Sequence, residues 1–246
     1  MVDQFSRTAM LFGRTGVSKL HNCRVAVFGV GGVGGHCAEA LCRSGIGALD
    51  IFDGDTVNVT NINRQIVATH KTIGRFKVDV MRERMLDINP EVNVITHKLF
   101  YLPGNADAVD LSSFDYIVDA VDTVAAKLEI VCRAASIGIP VISAMGAADK
   151  LDPTAFEVAD IYDTSVCPLA RIMRSELRKR GVSSLKVVYS REPPVKLHGG
   201  EADITTESDE NSSGTRRRSV PASNAFVPPV AGLILAGVVI KDLLAG

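Results

Sequence analysis

A glycine-rich turn, GVGGVG at residues 29–34, lies between an apolar run and the start of a helical pattern. Glycines in such a strand–turn–helix unit let backbone N–H groups approach a phosphate at the positive end of the helix dipole. A side chain at Gly31 or Gly32 would hold the phosphate away. We therefore assign Gly31, Gly32 and Gly34 to a predicted nucleotide-binding turn, with a tight structural turn as the alternative.

The chain predicts an α/β fold. Short apolar runs such as RVAVFG, ALDIFD, YIVDAV and PVISAM alternate with helical patterns, which is typical of a Rossmann-like, doubly wound, mostly parallel sheet. Two further strands and a helix predict an added C-terminal section. We expect one domain, with a nucleotide-binding part at about 20–146 and a substrate-side part at about 147–246. Residues 198–224, rich in Ser, Thr, Gly and charge, predict a mobile crossover loop.

Composition narrows the function classes. The net charge of -1 gives no global attraction to nucleic acid, so a polyanionic partner must meet a local basic patch. The five cysteines form no CxxC pair and no signal-peptide pattern is present, which predicts a cytoplasmic protein without structural zinc. The apolar stretch after Pro228 and Pro229 is too short to cross a bilayer, so we expect a buried helix, at a subunit interface, and no membrane partner.

A dense polar cluster follows the second predicted strand. Asp53 ends that strand, where a carboxylate can accept hydrogen bonds from ribose hydroxyls of either NAD or ATP. The stretch DGDTVNVTNINRQ then supplies the other candidate nucleotide-binding residues, which are Asp55, Asn61, Asn63, Arg64 and Gln65. A redox enzyme that binds NAD would not need this cluster.

Two more charged residues complete the candidate site. Lys77 begins a predicted helix, and Asp122 ends the predicted strand YIVDAVD at the carboxyl edge of the sheet. Arg64, Lys77 and Asp122 suit a triphosphate and Mg²⁺, so we predict a catalytic role for all three, with Asp122 holding the metal directly or through water. The alternatives are that Arg64 pairs with Asp53 or Asp55, that Lys77 is solvated, and that Asp122 caps a helix.

These motifs resemble those of the ubiquitin-activating-enzyme-like adenylyltransferases of the ThiF and MoeB type. The similarity runs through GVGGVG, DGDTVNVTNINRQ, GRFKVDV and DAVD, and it extends over nearly the whole chain. The resemblance implies that Asp53 binds the ATP ribose and that Asp122 positions magnesium. It also implies four phosphate contacts, from Gly32, Asn61, Arg64 and Lys77.

Within that superfamily the chain is most similar to the tRNA threonylcarbamoyladenosine dehydratase branch. The resemblance lies in RTAMLFG, SAMGAADKLDPTAFEVADIYDT and CPLARIMRSELRKRG. It implies ATP-dependent cyclisation of threonylcarbamoyladenosine in tRNA through carboxylate adenylation, with release of AMP and pyrophosphate. One alternative is activation of the Gly-Gly tail of a ubiquitin-like or sulfur-carrier protein. Another is a nucleotide- or NAD-binding module without adenylation.

The resemblance also implies partners. Some relatives donate an arginine across a dimer interface, so we expect a homodimer, and we leave open whether Arg7 or Arg14 has that role. A sulfur-transfer or carrier-protein partner also stays open. Arg171, Arg174 and Arg178 lie at i, i+3 and i+7 of a predicted helix, a basic stripe suited to tRNA phosphates or to a solvated face.

Cys167 is a candidate nucleophile. It lies just before Pro168 at the predicted start of the same helix, where the helix dipole favours a reactive thiol. In carrier-protein activators a cysteine forms a covalent intermediate, and this residue would be its counterpart. Intramolecular cyclisation needs no such cysteine, so the alternative is a small buried or capping-region residue.

Overall fold

Seven strands form one sheet in the computed structural model, which describes residues 2–196 and 221–246. The strands are β1 (Arg24–Phe28), β2 (Ala48–Phe52), β3 (Asn93–His97), β4 (Tyr116–Asp119), β5 (Val141–Ala144), β6 (Phe156–Asp160) and β7 (Lys186–Ser190). Their order is β3-β2-β1-β4-β5-β7-β6, and every pairing is parallel except that of β6 with β7. The predicted α/β architecture with an added C-terminal section is confirmed. Residues 198–220 of the predicted crossover loop lie outside the described residues.

Six α-helices accompany the sheet in the described part of the chain. They are α1 (Ser6–His21), α2 (Gly34–Arg43), α3 (Lys77–Ile88), α4 (Val124–Ile137), α5 (Pro168–Lys179) and α6 (Val227–Ala245). Helix α1, before β1, was not predicted from the sequence. Helix α1 gives a weak pattern because it buries only Leu20 and is interrupted at Gly13, whose φ is 75°.

The helices cover both faces of the sheet. Val25 and Val27 of β1 point into a core that also holds side chains of α2, α3 and α6. Ala26 and Phe28, the alternate residues of the same strand, point into a second core with α4. This alternation follows from the two-residue period of a strand, and burial on both faces accounts for the continuous apolar run in the sequence.

Helix α6 continues through Pro228 and Pro229 and is long and apolar enough to cross a membrane by length and composition, which corrects the expectation that the apolar stretch is too short. Of its most apolar window, 56% is buried inside the fold. It packs closely on α2, because a Cβ at Gly232 would lie 2.2 Å from the Val33 carbonyl oxygen. Leu235 and Val239 are fully buried on the same core. This packing agrees with the expected buried helix, whereas its place at a subunit interface stays a prediction.

The sheet topology fixes where a ligand would bind. The chain leaves β1 towards β2 and β3 on one side, and it returns to β4 and β5 on the other. The carboxyl ends of β1 and β4 therefore flank the topological switch point, the crevice in which open α/β sheets bind ligands.

Candidate nucleotide-binding site

The turn after β1 can be made only by glycines at two positions. Gly29 has φ of 90°, and a Cβ there would lie 2.7 Å from the Ala120 carbonyl oxygen. A Cβ at Gly34 would lie 1.8 Å from the Gly29 carbonyl oxygen. Such distances are far below van der Waals contact, so the turn packs backbone against backbone and leaves its N–H groups at the start of α2.

Asp53, directly after β2, fastens that turn. Its Oδ2 accepts a hydrogen bond from the Val30 N–H at 2.8 Å, and its Oδ1 accepts one from the Asp55 N–H at 2.8 Å. Burial raises the pKa of Asp53, although the nearby Lys77 ammonium acts in the opposite direction. Because each carboxylate oxygen accepts more than one hydrogen bond, both retain capacity for ribose hydroxyls.

Lys77 begins α3 and is buried rather than solvated, with 5% of the residue exposed. Its Nζ lies 2.6 Å from Asp55 Oδ2 and 3.9 Å from Asp53 Oδ1. The alternative of a solvated helix residue is therefore wrong. A buried ammonium between two carboxylates at the glycine turn can redirect a donor towards a phosphate oxygen, because it has three N–H groups.

Arg64 has no acidic partner within residues 2–196 and 221–246. Its Nη1 donates to the Thr60 carbonyl oxygen at 3.1 Å and to Asn63 Oδ1 at 2.8 Å, and both acceptors are neutral. The alternative of pairing with Asp53 or Asp55 is therefore wrong. A Cβ at Gly32 would lie 3.3 Å from Arg64 Cγ, so a half-buried, uncompensated cation stands beside the glycine turn, as an anion site requires.

The remaining residues of the polar cluster differ in role. Asn61 Oδ1 accepts from the Asn58 N–H and closes a one-turn 3-10 helix, Val59–Asn61. Gln65 is buried, and its Oε1 has no hydrogen-bond partner among the residues that the structure describes. Its Nε2 lies 3.9 Å from the position of a Cβ at Gly31, so the amide with the unpaired oxygen borders the turn. Asn63 bonds Arg64 through its Oδ1, whereas its Nδ2 donates to the Ser223 carbonyl oxygen at 3.1 Å.

Asp122 does not end a strand, which corrects the sequence analysis. Strand β4 ends at Asp119, and Asp122 lies in the exposed loop before α4. The capping alternative finds no support, since α4 has no side-chain hydrogen bond at its start. The Asp122 carboxylate accepts only a long bond of 3.3 Å from Thr123 Oγ1 in the described part of the chain, so it is available at the carboxyl edge.

A magnesium ion at this edge would need ligands from outside the protein. Among the residues that the structure describes, no group of three or more His, Cys, Asp or Glu side chains could hold a metal. Mg²⁺ is commonly bound by one or two carboxylates together with waters and substrate phosphates, so the single carboxylate of Asp122 fits a metal that arrives with ATP.

A buried charge network that was not predicted lies at the ends of β4 and β5. Lys127 of α4 is fully buried, and its Nζ donates to Asp119 Oδ2 at 3.1 Å and to the Ala144 carbonyl oxygen at 2.7 Å. Ser143 donates to the same carboxylate oxygen. This network ties the carboxyl ends of β4 and β5 together beneath the loop that carries Asp122. The sequence signal for this network was the pair Asp119 and Lys127, two charged residues eight positions apart that each lie within an apolar run.

Cys167 and the basic stripe lie on α5. Cys167 precedes the helix as expected, but it is 3% exposed and packs in an apolar core, which favours the alternative of a buried residue. Arg174 donates to the carbonyl and hydroxyl oxygens of Thr164, and Arg178 stacks on the Tyr162 ring at 5.3 Å. Arg171 is exposed. Two of the three arginines therefore brace the preceding turn.

Fold and site together define a nucleotide-binding α/β protein with cations placed for phosphate. The ThiF family model matches residues 5–241, and the chain belongs to the ThiF family. It is 44% identical over 246 residues to the tRNA threonylcarbamoyladenosine dehydratase of Bacillus subtilis (strain 168), covering 99% of this chain and 96% of that protein. The Escherichia coli (strain K12) dehydratase is 38% identical over 176 residues, covering 72% of this chain and 66% of that protein.

Solved structures agree with this family. The crystal structure of the Escherichia coli dehydratase TcdA in complex with AMP has a TM-score of 0.86 and 31% identity, covering 98% of this chain and 94% of that chain. The complex of the same enzyme with ATP has a TM-score of 0.82 and 30% identity over the same shares. The expected family and fold are confirmed.

Proposed function

We propose that this chain is an ATP-dependent tRNA threonylcarbamoyladenosine dehydratase. The observation that carries the proposal is the near full-length similarity, 44% over 99% of the chain, to a dehydratase of that name. The site supports it, because Arg64 has only neutral partners in the described residues and stands beside a glycine turn. The named relatives favour this function over carrier activation and over a binding module without adenylation.

The proposed reaction has two steps. The threonyl carboxylate of the modified adenosine attacks the α-phosphate of ATP, the bond to the β-phosphate breaks, and pyrophosphate leaves. The resulting acyl adenylate carries a good leaving group. A carbamoyl nitrogen or oxygen of the same modification then attacks the activated carbonyl and gives up its proton to solvent, and AMP departs with one oxygen of the original carboxylate. The ring that forms is lighter than the starting nucleoside by one water.

The protein's part in the first step is positioning and charge neutralisation. Asp53 would hold the ribose hydroxyls, and the N–H groups of the glycine turn would approach the phosphates. Arg64 and Lys77 would offset the charge that develops on the departing pyrophosphate. Gly32 and Asn61 would also contact the phosphates. We assign further ATP-binding roles to Gly31, Gly34, Asp55 and Gln65.

Magnesium belongs to the proposal through Asp122. When bound with ATP, the ion supplies Lewis-acid neutralisation of the triphosphate oxygens. Asp122 would hold it directly or through water, because its carboxylate is exposed at the correct sheet edge and makes no ion pair in the described residues.

The substrate and partner assignments are part of the same proposal. We place tRNA phosphates near Arg171 and Arg178, the two exposed members of the α5 stripe, with the partly buried Arg174 between them. A homodimer would cover Met10 and Leu11, which are 85% and 82% exposed on α1. Arg7 lies exposed on that helix, whereas Arg14 pairs with Asp3 at 2.9 Å.

The remaining parts of the proposal concern organisation. We propose a single domain, because one sheet joins strands from about 20–146 with strands from about 147–246. A cytoplasmic location follows from the tRNA substrate. A sulfur-transfer or carrier-protein partner stays a prediction. Because the Cys167 thiol is buried, it is not an accessible nucleophile for a covalent intermediate with a carrier protein.

The test is pyrophosphate release with ATP and magnesium, comparing tRNA that bears threonylcarbamoyladenosine with unmodified tRNA. We expect release only with the modified tRNA, together with AMP and a nucleoside lighter by one water in the mass spectrum. Release that needs a Gly-Gly carrier protein instead would replace the proposal by carrier activation. Nucleotide binding without any pyrophosphate release would support the binding module.

A further inference from the structure

Asn63 joins the phosphate side of the site to a distant part of the chain. We propose that Asn63 is a positioning residue, which aligns the Arg64 guanidinium for the triphosphate by fixing it to Ser223 and, through the neighbouring backbone, to Asp149. This inference deepens the proposed function, since it rests on the assignment of Arg64 to the phosphates of ATP.

The hydrogen bonds at Asn63 can be satisfied in one orientation of its amide. Arg64 can only donate, so the atom that faces its Nη1 at 2.8 Å must be the amide oxygen. The Ser223 carbonyl can only accept, so the atom that faces it at 3.1 Å must be the amide nitrogen. Asn63 is thus a directional bridge between a guanidinium and a backbone carbonyl.

The bridge restrains Arg64 without neutralising it. Both acceptors of Arg64 Nη1, Asn63 Oδ1 and the Thr60 carbonyl oxygen, are neutral, so the guanidinium keeps its full charge for an anion. The cost of ordering a long side chain is thereby met before the ligand binds, which is how preorganisation raises affinity. Removing the Asn63 amide leaves Thr60 as the remaining anchor of Arg64 among the described residues.

The backbone around Ser223 is itself held in place. The Asp149 N–H donates to the Ala222 carbonyl oxygen at 2.9 Å, and the Ala222 N–H donates to Asp149 Oδ1 at 2.7 Å. Asn224 Nδ2 donates to the Lys150 carbonyl oxygen at 2.8 Å. Ser223 therefore lies between two residues that are pinned to the loop after β5, and its carbonyl is a fixed acceptor.

Asp149 adopts a left-handed conformation at this junction. Its φ is 57°, a region that Asp tolerates better than most residues but that still costs conformational energy. In this conformation its carbonyl oxygen also accepts from the Val195 N–H at 2.8 Å. Asp149 thus makes hydrogen bonds to both Val195 and Ala222. It keeps a left-handed conformation despite the energetic cost, which indicates that the backbone geometry at this position is constrained.

The other side of the bridge reaches the glycine turn. Asn224 Oδ1 accepts from the Phe226 and Val227 N–H groups, where α6 begins. A Cβ at Gly32 would lie 3.2 Å from Pro228 Cβ and 3.3 Å from Arg64 Cγ, so Pro228 and the Arg64 stem both border Gly32. Packing at Gly32 fixes the aliphatic part of the Arg64 side chain, and the hydrogen bond to Asn63 fixes its guanidinium. Together they set the direction of the guanidinium.

The experiment measures ATP and AMP affinity by calorimetry on the full chain, with no tRNA present. Asn63→Ala should weaken ATP binding about 3- to 10-fold, the equivalent of one hydrogen bond, and leave AMP binding within about 2-fold. In an Arg64→Ala background the same change should have no further effect. Asp149→Ala should weaken ATP binding in the same direction, and the double variant with Asn63→Ala should lose no more than the larger single effect.

Matched controls separate positioning from folding. Asn22→Ala removes an exposed asparagine that bridges to the Ser18 carbonyl oxygen at the end of α1, and it should leave both affinities unchanged. Asn63→Asp keeps an acceptor for Arg64 but neutralises the guanidinium and loses the donor to Ser223, so its affinity for ATP should fall below that of Asn63→Ala. Melting temperatures of all variants identify any that fail to fold.

Three results would overturn the inference. Equal weakening of ATP and AMP, or a full Asn63→Ala effect without Arg64, would make Asn63 a direct ligand or a structural residue. An additive cycle with Asp149 would remove that residue from the relay. Binding is measured without tRNA, so the two proposals can fail separately. Wild-type protein that binds ATP but never releases pyrophosphate with modified tRNA would refute the dehydratase proposal. The ATP affinities of the single and double variants would still decide the role of Asn63. Wild-type protein that binds no ATP would refute both.

Discussion

The Lys127 ammonium lies 3.1 Å from Asp119 Oδ2, and both residues are fully buried. Lys127→Met should destabilise the fold by about 3–5 kcal/mol, because it leaves a carboxylate buried without its partner. Urea unfolding measures the loss. The double variant Asp119→Leu with Lys127→Met should recover much of it. Full stability of Lys127→Met alone would show that the network is solvated and contributes little.

Gly29 and Gly138 separate conformational strain from close packing. Both have positive φ, of 90° and 75°, but a Cβ at Gly29 meets the Ala120 carbonyl at 2.7 Å while a Cβ at Gly138 meets nothing within 4 Å. Gly138→Ala should cost about 1 kcal/mol and leave ATP binding intact. Gly29→Ala should cost more and abolish ATP binding. Unfolding curves measure the stability of both variants, and calorimetry measures their ATP affinity. Equal stability and equal ATP affinity of the two variants would contradict the close contact of Gly29 with the Ala120 backbone.

Asp122→Asn should separate nucleotide binding from metal use. The change keeps the shape of the side chain and removes its charge, so ATP affinity without magnesium should stay within about 2-fold. The gain in affinity on adding magnesium should disappear, and pyrophosphate release should fall by about 10²-fold or more. Asp87→Asn, at an exposed position of α3, is the control. An unchanged magnesium response would remove Asp122 from the metal site.

Lys77→Gln should lower ATP affinity by about 10-fold, because a buried cation beside Asp53 and Asp55 is lost from the phosphate side. Pyrophosphate release should fall further, since charge on the leaving group is largest in the transition state. Lys179→Gln, which removes an exposed lysine paired with Glu176, should be neutral. If Lys77→Gln changes stability alone, the lysine is structural.

Asp50 predicts a pH-dependent stability. Burial would raise the pKa of this carboxyl, but hydrogen bonds from His97 and Arg24 outweigh burial and lower its pKa. A lowered folded pKa adds stability that is present above the unfolded pKa of about 3.9 and is lost as pH falls through the folded value. Asp50→Asn should therefore be destabilising at pH 7 and less so at pH 3, below the unfolded pKa, in urea unfolding. An equal effect at both pH values would indicate packing instead.

Much of the fold could be predicted because its signals are local. Each strand from β1 to β5 is a short apolar run, and Val78, Met81 and Met85 of α3 fall at the helical period and are all buried. The position of Asp122 was harder to predict. Strand β4 ends at Asp119, three residues before Asp122, and the Asp119 carboxylate contacts Lys127 of α4, a tertiary contact that local spacing does not reveal.

The site divides in the same way. The glycine turn, Asp53 and Lys77 follow from spacing within a strand–turn–helix unit. The partner of Asn63 could not be predicted, since Ser223 lies 160 positions away and contributes a backbone carbonyl, which has no sequence signature. The bracing of Tyr162 and Thr164 by the α5 arginines also depends on tertiary contact.

The contact of Gly232 with the Val33 carbonyl determines when, during translation, the nucleotide-binding turn can be completed. The glycine turn is made early on the ribosome, yet the helix that packs against its second half begins about 190 residues later in the chain. Until α6 docks, the apolar side of α2 faces water and the turn lacks one wall. A nascent chain stalled before residue 227 should therefore hold the complete glycine motif and still fail to retain ATP.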